Sequence, residues 1–154
     1  MFRKLVIGAL GAVLFSTTAF AQGTAAEAKA MLEKAVAAVK ADKAKALDMF
    51  NKGEGGFRDR DLYVFCSNVS DGKLVAVFNP NAKNLIGTDA RNIMDSNGKA
   101  FGQEIYNDAT KNPEGYISEV SYMFPKPDAD KKPVPKASFV TKVADLICGV
   151  GYYK

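Results

Sequence analysis

Recognition chemistry in this chain gathers in its last third. Lys136 follows Pro135 at the start of a strand-like run, Lys136 to Ala144. Tyr122 and Phe124 alternate on one face of the preceding run, Gly115 to Phe124. If these runs pair as a hairpin, a positioned cation, a hydroxyl and an aromatic wall meet, which suits a small carboxylate. The plainer alternative makes Tyr122 and Phe124 core and lets Lys136 face solvent. Arg58 is a second candidate cation, beside Phe57 at a bend supplied by Gly53, Gly55 and Gly56. It either turns inward to a ligand carboxylate or stays a solvated loop charge. Phe78, with Tyr63 and Phe65, is core or pocket wall.

Catalytic chemistry is poorly supplied. The chain has no histidine, which removes Ser-His-Asp and Cys-His catalysis and any histidine-based metal site. Asp59, Asp61 and Asp95 are carboxylates without an anchored acid–base spacing. Asp95-Ser96-Asn97-Gly98 is a tight turn suited to capping the next helix. It lacks the ligand spacing and terminal glutamate of a calcium loop. The expectation is a non-enzyme with no metal and no cofactor. Cys66 and Cys148 are the only cysteines. They form one disulfide in an oxidising compartment or remain two buried thiols.

The address is written at the start. Arg3 and Lys4, an apolar run from Leu5 to Phe15, and Ala19-Phe20-Ala21 make a secretory signal peptide over residues 1–21. Cleavage near Ala21 starts the mature chain at Gln22 and places it in the periplasm or outside the cell; the alternative is a retained membrane anchor. Residues 22–154 then form one domain. Without Arg3 and Lys4 the formal charge falls from +4 to +2, and no Lys/Arg block exists, so nucleic acid is not an expected partner.

These residues need elements to hold them. Thr24 and Glu27 read as a capping box that opens a long helix to about Asn51, with Leu32, Val36, Val39, Leu47 and Phe50 at helical spacing. Its alanine-rich stripe covers its own sheet or pairs with a second copy as a homodimer. Leu62 to Cys66 and Lys73 to Phe78 read as a hairpin around the Asn68–Gly72 turn, central in its sheet because neither strand has a polar face. Thr88 to Arg91 opens a short helical turn, and a helix runs from Lys99 to about Lys111 with Phe101 and Ile105 inward. Prolines 125, 127, 133 and 135 bracket an exposed loop, Asp128 to Lys132. The final strand is Leu146 to Tyr153, after a turn at Asp145. The fold class is α+β: an antiparallel sheet of about five strands, a long N-terminal helix and a short helical crossing segment on the opposite side.

Several segments in order carry a resemblance. They are Leu62-Tyr63-Val64-Phe65, Asp71-Gly72, Asn79-Pro80, Leu85-Ile86-Gly87 and Asp95-x-x-Gly98-Lys99-x-Phe101. Tyr122-Met123-Phe124-Pro125, Lys136-x-Ser138-Phe139-Val140 and Gly149-Val150-Gly151-Tyr152 follow. The chain resembles the single Cache domain family, type 2, the extracytoplasmic sensor domain of many bacterial chemoreceptors and histidine kinases. The resemblance implies a PAS-like sheet whose first and last strands are neighbours, which lets Cys66 meet Cys148. It also implies a pocket under the middle segment for a small organic acid, at the positions of Tyr122, Phe124 and Lys136. Many relatives carry Ala-His-Pro where this chain has Ala76 to Pro80 without histidine. Receptor-type members continue into a transmembrane helix, whereas this sequence stops at Lys154. The expectation is a free-standing exported sensor module that reports a small carboxylate to a membrane receptor or kinase. The alternative is a protein–protein adaptor or dimerisation module without a small ligand.

Overall fold

The computed structural model describes residues 21–127 and 130–154; the signal-peptide reading, apart from Ala21, and Asp128 and Ala129 of the hairpin loop lie outside them. The capping box forms as expected. Thr24 Oγ1 accepts from the Glu27 backbone N–H, and the Glu27 carboxylate accepts from that of Thr24. The single long helix, however, is two: α1 (Ala25–Ala41) and α2 (Lys43–Lys52). Asp42 is extended between them, and its carboxylate caps α2 by accepting from the Lys45 N–H. An aspartate competes with the helical backbone in this way, and helical periodicity alone does not reveal it. Gly53, with φ 68°, ends α2 in the left-handed region.

Among the described residues the sheet has six strands: β1 (Arg58–Asp59), β2 (Leu62–Asn68), β3 (Leu74–Val77), β4 (Ser118–Pro125), β5 (Pro133–Val143) and β6 (Leu146–Tyr153). All pairings are antiparallel, in the order β1-β2-β6-β5-β4, with β3 also on β2. The Leu62–Val77 hairpin is therefore not central. Its second strand is an edge, and β6 takes the middle, where Cys148, Gly149, Val150 and Gly151 are all buried. The two-sided burial of β3 comes from α2 and the middle segment rather than from a further strand.

Alternation along the strands separates two cores. Leu62, Val64 and Cys66 of β2 and Leu146, Cys148 and Val150 of β6 face α1 and α2, where they meet Ala28, Leu32, Ala35 and Phe50. The inward stripe of α1 thus covers its own sheet, and any dimer through this helix has to use its exposed face. Cys66 stands directly opposite Cys148 across β2 and β6, and the two form a disulfide beneath α1. The opposite sheet face carries Val120, Tyr122, Val140 and Ile147 and is covered by α3 (Phe101–Lys111) through Phe101, Ile105 and Ala109. Two short 3₁₀ segments, Pro80–Leu85 and Ala90–Asn92, complete that cover.

The turn at Asp95 does not cap α3. Its carboxylate accepts from the Asn97 and Lys99 N–H groups and, with its other oxygen, from Met123 N on the outer edge of β4. Lys99 Nζ donates to Ser121 O on the same edge. The turn therefore closes the edge strand, whose open N–H and C=O groups would otherwise invite pairing.

Candidate functional site

Lys136 lies on β5 between Tyr122 of β4 and Tyr153 of β6. Its stem crosses β6 at Gly151, where a Cβ would stand 2.1 Å from Lys136 Cε, so only glycine leaves the path open. The ammonium then donates to Tyr63 Oη at 2.7 Å. Aromatic faces surround it: the ring centroids of Tyr63, Tyr153, Phe124 and Tyr122 lie 4.3, 5.0, 5.1 and 6.0 Å away. Lys136 is 2% exposed.

A buried polar network fixes these rings. Asn79, fully buried, donates from Nδ2 to Tyr63 Oη and to Pro125 O, each at 3.0 Å. Tyr153 Oη donates to the same Pro125 carbonyl at 2.8 Å. Tyr122 Oη and Ser138 Oγ share a hydrogen bond of 2.7 Å. Phe101 of α3 stacks on Tyr122 with ring centroids 4.0 Å apart. Each ring is thus held by packing or a hydrogen bond before any ligand arrives.

The electrostatics are one-sided. Burial disfavours the Lys136 ammonium. The Tyr63 hydrogen bond and the more distant Asp61 carboxylate favour it at neutral pH, and the net upward direction comes chiefly from Tyr122 and Tyr63 once their phenols ionise, well above pH 7. Burial pushes the Tyr122 phenol up, against the pull of Lys136. Phenols are neutral at pH 7, so they offer dipoles and ring faces but no counter-charge. Among the described residues no carboxylate lies within ion-pair distance of Lys136. A buried cation in this position is short of one anion.

Beside the ammonium lies a cavity under the middle segment. Its volume of about 60 Å³, counted as space open to water-sized groups, admits a slender unbranched chain. Lys136, Tyr63, Tyr122 and Phe124 line one end. The rest of its wall is mainly aliphatic and aromatic, with Ser67, Arg91 and Tyr106 as the other polar groups. An open groove of about 330 Å³, lined by Asp95, Lys99, Ser121 and Lys154, shares Tyr122 and Lys136 with it.

Of the residues singled out in the sequence, the structure brings Lys136, Tyr122 and Phe124 together at the cavity. Arg58 and Phe78 meet each other instead: the guanidinium carbon is 4.4 Å from the Phe78 ring centroid, and neither residue lines the cavity. Asn79, Ser138, Gly151 and Tyr153 support the site without being predicted as site residues from the sequence. Asn79 before Pro80 and two glycines in an apolar strand were the available signals, but only the register shows what they support.

The profile of the family described as Single Cache domain 2 matches residues 1–153. Among solved structures, a methyl-accepting chemotaxis protein from Vibrio parahaemolyticus RIMD 2210633 is similar, with a TM-score of 0.65 and 20% identity over 83% of this chain and 86% of that one. A periplasmic sensor domain of a chemotaxis protein gives a TM-score of 0.62 and 24% identity over 81% and 86%. A Cache chemosensory domain studied for carboxylic acid recognition gives 0.58 and 23% over 81% and 84%. No curated protein matches. With the ordered segments, the six-stranded antiparallel sheet and the family profile in agreement, this chain belongs to the Single Cache domain 2 family.

Proposed function

We propose that this protein is an extracytoplasmic sensor module that binds a small monocarboxylic acid at Lys136 and reports it to a membrane partner, a receptor or kinase. One observation carries the reading: a buried ammonium, without a carboxylate partner among the described residues, abuts a largely apolar cavity. An incoming carboxylate supplies the missing counter-charge. Tyr122 Oη or Tyr63 Oη can contribute a further hydrogen bond, and the apolar wall takes the alkyl part. Likeness to a domain studied for carboxylic acid recognition supports the ligand class. The Cys66–Cys148 disulfide fits an oxidising compartment, in keeping with a leader at residues 1–21. The role is binding rather than turnover.

A thermal-shift panel of C2 to C6 carboxylates, amino acids, and neutral and cationic metabolites tests this. Ligands that bind the native state raise Tm by mass action. Selective stabilisation by a few acids, lost in Lys136→Ala, is the expected outcome. Equal stabilisation of both proteins removes Lys136 from the site. A flat panel on well-folded, ligand-free protein favours the adaptor reading.

A further inference from the structure

The cavity has a second polar end. Ser67 lines it, is 7% exposed, and has no hydrogen-bond partner for its side chain among the described residues. It lies four residues along β2 from Tyr63, about 13 Å at the rise of a strand. Phe65 lies between them on the same face, with its ring over Gly149. Val77 stands opposite Phe65 on β3 and Leu74 opposite Ser67, so the middle stretch is apolar.

The charge at this end is already balanced. Arg91, also on the lining, donates to both Asp89 carboxylate oxygens and to Asp71 O. Its guanidinium lies 5.2 Å from the Tyr106 ring centroid, and Tyr106 Oη donates to Val69 O at 2.9 Å. The distal end therefore presents a neutral hydroxyl beside a neutralised ion pair, while the Lys136 end presents an unbalanced cation.

We infer that the cavity is a two-ended site, with Ser67 as a specificity residue that selects a monocarboxylic acid carrying a neutral oxygen at its far end. This rests on the reading of Lys136 as the carboxylate anchor. The two ends are set by backbone positions about 13 Å apart along β2, so a ligand that reaches from Lys136 to Ser67 needs a chain of several carbons rather than two. A six-carbon acid with a terminal hydroxyl is the probe chosen for that span. A second carboxylate is disfavoured, because Asp89 already satisfies the only cation near Ser67 on the lining.

Calorimetric titration of the purified protein and its Ser67→Ala variant with acetate, hexanoate, 6-hydroxyhexanoate and adipate tests the inference. The expected order in the unsubstituted protein is 6-hydroxyhexanoate ahead of hexanoate by about three- to tenfold, with adipate weaker than both. In Ser67→Ala the hydroxy acid and hexanoate become equal while acetate is unchanged. Acids that bind without the hydroxyl preference, or a preference that survives Ser67→Ala, overturn the distal site and leave the Lys136 reading standing. Failure of every acid, acetate included, overturns both.

Discussion

Replacing Lys136 by methionine separates a binding lysine from a structural one. The side chain is 2% exposed and makes one hydrogen bond, to Tyr63 Oη. A charged donor on a neutral acceptor contributes about 1.5–3 kcal/mol, and the three nearest ring faces about 0.5–2 kcal/mol each. Against this stands the desolvation of an ammonium with no counter-ion, a penalty of several kcal/mol. The two nearly cancel, so the lysine adds little to stability. Methionine fills a similar volume without the desolvation penalty, and Tyr63 Oη keeps its donor from Asn79. Lys136→Met is therefore expected to be neutral or up to about 2 kcal/mol more stable, at the lower end of the roughly 1–4 kcal/mol gained when hydrophobic residues replace buried ion pairs. For a domain of this size that is a Tm unchanged or raised by several degrees. Denaturant and thermal unfolding without added ligand measure it, and carboxylate affinity in the same variant should fall at least tenfold. Destabilisation by about 3–5 kcal/mol would refute the reasoning, because it would mean that the lysine completes a structural network.

Three further outcomes follow from the geometry. Gly151→Ala puts a methyl group into the path of the Lys136 stem; acid affinity should fall at least tenfold in calorimetry although every polar group of the site is retained. Breaking the disulfide with Cys66→Ala and Cys148→Ala should lower stability by about 4–5 kcal/mol in urea unfolding, given the 82-residue separation, and the unsubstituted protein should show no alkylatable thiol under denaturing, non-reducing conditions. Glu27, held by the Thr24 N–H and by Arg60, has its pKa lowered to about 2 from 4.5. A depressed carboxylate stabilises above its unfolded pKa and loses that contribution as pH falls through the folded one. The Glu27 share should thus disappear between pH 4.5 and 2, and Glu27→Gln should flatten that part of the urea-stability profile.

Much of this fold was legible because local signals agreed with the global arrangement. Thr24 and Glu27 announce α1, Gly72 at φ 71° makes the β2–β3 turn, and the alternation of Val120, Tyr122 and Phe124 gives one face of β4. The helix break at Asp42 was not legible, since one residue's choice between helix interior and N-cap depends on what α2 packs against. The central place of β6 was also hidden, because β2 and β6 are both apolar on two faces and only pairing order separates them. At the site, Lys136, Tyr122 and Phe124 could be grouped because β4 and β5 are sequential neighbours in a hairpin. Tyr63, Asn79, Gly151 and Tyr153 enter through β2, the segment after β3, and β6, contacts whose long sequence separations no local pattern encodes. Residue type alone groups Arg58 and Phe78 with the site, whereas in the fold they stack on each other at the β1 and β3 edge of the sheet.

The most direct measurement is a crystal structure of the protein with the tightest-binding acid of the C2 to C6 panel. The account predicts a carboxylate oxygen within about 3 Å of Lys136 Nζ, a hydrogen bond from a tyrosine hydroxyl, and the alkyl chain directed along the cavity toward Ser67. An acid seated in the outer groove against Lys99 and Lys154, with Lys136 still donating to Tyr63 alone, would contradict it.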